Sequence, residues 1–139
     1  MRISDDAVAF IKQFEGFSPR SYWDVSRWSV GFGTISFEGE KITREVATER
    51  LKTELAGFAA GLQNRLTFQP TDTQATALLS AAYNLGVVGI RPIIELCNDN
   101  DFQAAADLLR EYDHAGGERL QALTRRRDAE AQLLETEGR

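Results

Sequence analysis

The sequence predicts an α+β fold, mainly helical, with a small β lobe and a helical lobe joined by a long helix. Three observations predict it. A strand-forming stretch over residues 20–42 lies between two helical patterns. A helical run of about 21 residues, roughly 44–64, follows it and would span about 30 Å, long enough to bridge two lobes. From residue 65 onward the chain reads as helices separated by short turn signals. The expected boundaries are a β lobe at about 16–42, the connecting helix at about 44–64, and a helical lobe at about 65–139 that includes the N-terminal helix. All 139 residues are expected to form one domain, and the length suffices for a real core.

In chain order, Ser4 caps a first helix whose opening turn carries Asp5 and Asp6. Val8, Phe10, Ile11 and Phe14 recur at helical spacing, Gly16 stops the run, and Pro19 prevents its restart. Tyr22, Trp23, Trp28, Val30, Phe32, Ile35 and Phe37 supply strand formers, with turns at Ser26-Arg27 and Glu38-Gly39. Trp28 suits either the core or the face of a sugar ring. Thr43 caps the long helix, whose apolar face reads Val46, Leu51, Leu55, Phe58, Ala59 and Leu62. Gly57 within it costs about 1 kcal/mol relative to Ala. Thr71 or Thr73 starts a helix rich in alanine, carrying Ala75, Leu78, Leu79, Ala82 and Tyr83, as expected of a central helix packed on all sides. A short helix over 87–97 tolerates Pro92 in its first turn. An amphipathic helix runs from Asp101 to Tyr112, and a loop follows through Gly117. The last helix carries Leu120 to Glu130, and the tail from Glu135 lacks core residues and is expected to fray.

Composition narrows the function classes. Apolar residues make up 42% and charged residues 27%, ordinary for a globular protein. The net charge of −5 speaks against general nucleic-acid binding. The single cysteine, Cys97, rules out an internal disulfide, and the single histidine, His114, leaves no clustered imidazole ligands. No metal site and no cofactor are expected. No apolar stretch is long enough to span a bilayer, and residues 1–6 lack a signal-peptide hydrophobic region.

The chemistry concentrates in Phe14 to Thr34. Glu15 lies between Phe14 and Phe17 at a helix end, and Asp24 opens a polar turn, Val25-Ser26-Arg27. A carboxyl against aromatic rings loses hydration of its charged form, whereas one in a wet turn stays ionised. Two acids in such different settings are the arrangement used for glycoside hydrolysis. The bland alternative is that both are surface residues. Gly31 and Gly33 leave one strand face bare, for a ligand or for close packing on a neighbouring segment. Asn84 suits a substrate contact or a helix C-cap. Gly31-Phe32-Gly33 lacks the following residues of a nucleotide loop.

These residues resemble the active-site motif of the phage-type lysozymes, the muramidases of bacteriophages. The matching positions are Glu15-Gly16, Asp24, Ser29 and Gly31-Phe32-Gly33. Ser29 stands where the family has Thr, the turn before it is one residue shorter, and Thr34 stands where the family often has His. Tyr83-Asn84-Leu85-Gly86 resembles the Tyr-Asn-x-Gly run that lines the family's cleft. Ala115-Gly116-Gly117, Leu120 and the Arg125–Glu130 run resemble its second signature, in which one arginine reaches the catalytic Glu. Arg126 is the first candidate for that arginine and Arg125 the second, while Arg127 is expected on a solvated face.

The resemblance implies a lysozyme-like fold and hydrolysis, with inversion, of the β-1,4 bond between N-acetylmuramic acid and N-acetylglucosamine. Glu15 would protonate the leaving oxygen, Asp24 would stabilise positive charge or activate water, and Ser29 would hold that water. Gly31, Gly33, Asn84 and Arg126 would bind substrate. The implied partner is the peptidoglycan glycan strand, met by a monomer with no nucleic acid and no stable membrane insertion. The implied location is the host cytoplasm until release through a holin-type pore to the periplasm and cell wall, or carriage in the virion. Ser29 and the short turn also leave a weakly active or inactive glycan-binding protein of this fold as an alternative. Further alternatives are a virion or toxin module and a helical interaction protein without a sugar site.

Overall fold

A computed structural model describes residues 1–137. Helix α1 spans Asp5–Glu15, and its cap is Ser4, whose Oγ accepts from the Ala7 amide at 3.1 Å. Ala7, Val8 and Ile11 face the core. The helix ends at Gly16, which takes φ 69°, a conformation glycine adopts without penalty. Glu15 is therefore the last residue of a packed helix.

Strands β1 (Ser18–Asp24), β2 (Arg27–Gly31) and β3 (Thr34–Ile35) form an antiparallel sheet in sequence order. Tyr22 pairs with Ser29, Trp23 with Trp28 and Asp24 with Arg27. Directly paired residues point to the same face, so Tyr22, Asp24, Arg27 and Ser29 share one side of the hairpin. Trp23 and Trp28 share the other side, edge to face at 5.7 Å. That placement turns Trp28 away from the acidic side chain of the hairpin.

Helix α2 (Arg44–Gln63) follows, capped by Thr43. Its buried stripe is Ala47, Leu51, Leu55, Ala59 and Leu62. Val46, expected on that stripe, is 44% exposed, because Ala47 takes the inward position at the first turn. Ala47 packs against the sheet so closely that a Cβ on Gly31 would lie 2.8 Å from the Ala47 Cβ and 2.9 Å from the Ile42 Cδ1. The segment before α2 is pinned by Glu40, which accepts from both terminal nitrogens of Arg50 and from Ser36 Oγ. These donors hold the Glu40 carboxyl down at about 2, from an ordinary value of 4.5. A lowered folded-state pKa contributes stability that is present above the ordinary carboxylate range and lost as pH falls through the folded value. Thermal melts should therefore show the protein losing more stability between pH 4.5 and pH 2 than Glu40→Gln does. Equal acid sensitivity would mean that the pair contributes nothing to stability.

Helix α3 (Asp72–Leu85) opens with a reciprocal cap between Thr71 and Gln74. Every residue from Gln74 to Ala82 is buried, so α3 is the central helix that its alanines predict. Helix α4 (Arg91–Asn98) begins later than expected, after turns over 87–90, and carries Pro92 in its first turn. Helix α5 (Phe102–Arg110) is capped by Asp101, and α6 (Gln121–Glu137) packs on α3 and α5. One hydrophobic cluster joins all six helices, with Ile11, Leu51, Leu78, Ile94, Leu109 and Leu134 among its members. No helix among the described residues is long and apolar enough to cross a membrane.

Three further expectations change. The expected loop at 112–117 contains part of a small hairpin, β4 (His114–Ala115) with β5 (Glu118–Arg119). Gly116 and Gly117 both take positive φ, the requirement of a tight two-residue turn, so the signal was present in the glycine pair. The tail does not fray at Glu135: that carboxylate pairs with Arg110 at 2.7 Å and accepts from Gln103 at 2.8 Å. Gly138 and Arg139, the end of the expected fraying tail, lie outside the described residues. Arg127 is the third change. It is fully buried against Glu130 instead of lying on a solvated face.

Candidate active site

Glu15 at the end of α1 and Asp24 at the tip of the β1–β2 hairpin open onto one cleft of about 450 Å³. Tyr22, Arg27, Gly33 and Ile35 line its sheet side. Glu54 and Phe58 come from α2, and Tyr83 and Asn84 from the last turn of α3. A second cavity of about 380 Å³ adjoins it, lined by Glu15, Asn84, Phe14, Arg125 and Arg126 among others. Glu15 and Asn84 border both, so Glu15 stands where the two cavities meet. The larger cavity of about 530 Å³ along the first half of α2 meets the cleft only at Ile35 and Glu54 and contains neither acid of the pair. Size does not mark the chemistry here; the convergence of titratable groups does.

Glu15 combines the aromatic neighbour Phe14 with the arginine contact expected of it. Its Oε2 accepts from Arg126 Nη1 at 2.6 Å, and its side chain is 19% exposed. The Arg126 guanidinium also stacks over the Phe14 ring, 5.6 Å from the centroid. Behind it lies a buried network. Arg126 donates to the Ser80 carbonyl at 3.1 Å and to Ser80 Oγ at 3.2 Å. Ser80 Oγ donates to Glu130 Oε2, which also accepts from Arg127 Nη2 at 3.0 Å. The Arg127 Nε is 2.7 Å from Glu130 Oε1 but is not aligned for a hydrogen bond. Burial pushes the Arg127 guanidinium down and the Glu130 carboxyl up, and each opposes that shift in the other. Of the three consecutive arginines, Arg126 is the one that reaches Glu15, and Arg125 lies on the rim of the adjoining cavity.

Tyr83 ties the lobes together by donating to the Phe32 carbonyl at 3.0 Å. Burial raises the pKa of its phenol, reinforced by the Glu54 and Glu15 charges. Tyr22 is raised as well, first by burial and then by Asp24 and Glu15. Arg27 bridges the sheet by donating to the Gly33 carbonyl at 2.9 Å. The cleft thus gathers carboxylates from three elements around two phenols and one guanidinium.

The other expected site residues divide. Gly33 does line the cleft, at φ 91°, and a Cβ there would lie 3.5 Å from Glu15 Oε1. Asn84 lines both cavities and is not the C-cap of α3, a position held by Gly86. Gly31 is buried beneath α2 and does not border the cleft, so the packing reading of this glycine holds and the ligand reading is corrected. Ser29 is on the cleft side of the hairpin by strand parity, but it is fully buried and does not line the cavity. Its Oγ has no hydrogen-bond partner among the described residues. The two-residue turn Val25-Ser26 sets this register. Glu54 is the cleft carboxylate that sequence reading missed. Its only signal was its place one turn before Phe58 on the same face of α2.

Comparisons with known proteins bear on the family and the fold. The phage lysozyme family model matches residues 12–130. The endolysin of Bacillus phage B103 is 28% identical over 144 residues, which cover 98% of this chain and 55% of that protein. The chain thus spans about half the length of that relative. The endolysin of Acyrthosiphon pisum secondary endosymbiont phage 1 is 29% identical, with 98% of this chain and 99% of that one covered. Among solved structures, the muramidase domain of SpmX from Asticaccaulis excentricus superposes with a TM-score of 0.89 at 27% identity, covering 96% of this chain and 97% of that one.

Proposed function

The chain belongs to the phage lysozyme family, and on that premise we propose that it is a muramidase that hydrolyses the β-1,4 bond between N-acetylmuramic acid and N-acetylglucosamine in peptidoglycan. The observation that carries the proposal is the opening of Glu15 and Asp24 onto one groove, with Glu15 held by Arg126. Glu15 protonates the leaving glycosidic oxygen. Asp24, at the tip of the β1–β2 hairpin, stabilises positive charge on the sugar ring or activates water from the opposite face. Inversion follows when a water fits between the two carboxyl groups, which needs roughly 6.5–9.5 Å between them. Arg126 orients the Glu15 carboxyl, while Gly33 and Asn84 contact the strand on either side of the scissile bond. Ser29, buried as the cross-strand partner of Tyr22, takes no direct part. The same reading takes the chain as one two-lobed domain acting as a monomer, delivered to the wall through a holin-type pore or with the virion.

The burial of the Ser29 hydroxyl favours one second reading, a glycan-binding protein with little turnover. Digestion of purified sacculi, borohydride reduction of the new ends and mass spectrometry separate the two. A muramidase leaves reduced N-acetylmuramic acid ends. Reduced N-acetylglucosamine ends would place the cut at the other bond, and retention on sacculi without soluble products would favour binding alone.

A further inference from the structure

Arg126 faces Glu15 with one nitrogen and a buried carboxylate with another. The side chains of Arg126 and Glu130 are 5% and 0% exposed, so solvent screens their charges weakly. Glu130 Oε2 lies 3.4 Å from Arg126 Nε and 3.0 Å from Arg127 Nη2, and Ser80 Oγ donates to it. Two arginines therefore share two carboxylates, one inside the core and one in the cleft. A buried charge cluster of this kind is no more stabilising than apolar side chains of the same volume. Its position directly behind the proposed acid gives it a use.

We propose that Glu130 is a positioning residue that sets, through Arg126, how strongly Glu15 is held in its ionised form. Glu130 draws part of the Arg126 charge away from the cleft. The pull of the guanidinium at 2.6 Å on the Glu15 carboxylate is weaker for it, and a general acid must carry its proton at the working pH. Arg127 acts in the opposite sense. It competes with Arg126 for Glu130 and adds its own positive charge near Glu15. Other groups that face the cavities around Glu15 are Tyr22, Asp24 and Arg27 from the hairpin, Glu54 from α2, Tyr83 from α3, and Arg125 from α6. None of them contacts Glu130, so a change at Glu130 reaches Glu15 through α6.

The proposal rests on the muramidase reading for its catalytic consequence only, and its primary test does not need turnover. The Glu15 carboxyl is titrated by carbon-detected NMR in the full chain, assigned with Glu15→Gln, and compared in Glu130→Gln and Arg127→Met. Glu130→Gln should lower the titration midpoint by about one pH unit, and Arg127→Met should raise it. The alkaline limb of muropeptide release should move the same way, with a loss of about tenfold per unit above the limb. A midpoint that stays in place, or that moves in the same direction in both variants, overturns the proposal. So does a uniform fall in rate at every pH, which is what a purely structural role would give. If Glu130→Gln does not fold, the upward shift in Arg127→Met decides alone. If the midpoints move as expected while no chain releases product at any pH, the charge link stands and the muramidase reading falls.

Discussion

Glu15→Gln is expected to lower the rate of sacculus clearing by about 10²–10⁴-fold, the usual worth of a positioned general acid. The fold should survive. The amide oxygen of Gln still accepts from Arg126, which keeps its bonds to Ser80 and Glu130. Circular dichroism and a thermal melt check that condition, and turbidity of a sacculus suspension reads the rate. Glu54 makes the comparison informative, because it lines the same cleft. Glu54→Gln should retain most of the activity. The reverse pattern, with Glu15→Gln near the wild-type rate and Glu54→Gln inactive, would move the acid to α2.

Gly31→Ala is expected to destabilise the protein by about 2–5 kcal/mol, which combines the cost of left-handed backbone with that of overpacking. Gly31 sits at φ 63°, and the added methyl would meet Ala47 and Ile42 at under 3 Å. Ala47 belongs to α2 and cannot move aside as a flexible side-chain end would. Gly33→Ala shares the positive φ but meets nothing closer than Glu15 Oε1 at 3.5 Å. It should cost less stability and more activity. Chemical denaturation and clearing rates on the two variants give the comparison. Equal stability loss with no activity difference would mean that both glycines serve packing only.

Helix positions were legible in the sequence because caps and periodicity act locally. Ser4 and Thr43 each accept a backbone hydrogen bond at the helix start where the pattern placed a cap, and of the two candidates for α3 it is Thr71 that does so. The long α2 and the buried middle of α3 follow from spacing and alanine content alone. The β region was legible as strands, but its register was not. A two-residue turn pairs Tyr22 with Ser29 and sinks the Ser29 hydroxyl. Composition cannot show that, because one residue of turn length decides which neighbours cover a side chain. Arg127 misled for a related reason. Three consecutive arginines point in three directions around a helix, and only tertiary packing shows that Glu130 and Ser80 wait on the buried side. Glu54 was invisible because a carboxylate on a long helix is usually solvated, and it enters the cleft only when α2 is laid against Tyr83.

Hydrolysis of a wall glycan at the Glu15–Asp24 cleft is tested most directly by running the wild-type digestion in water labelled with heavy oxygen. Mass spectrometry of the unreduced products, taken promptly to limit exchange at the reducing carbon, should show one labelled oxygen on the new N-acetylmuramic acid end for each bond cut. Unlabelled products ending in an anhydro sugar would show that the ring's own hydroxyl displaced the leaving group, and labelled cuts confined to the peptides would place the chemistry outside the glycan. Either outcome would contradict water attack at this cleft.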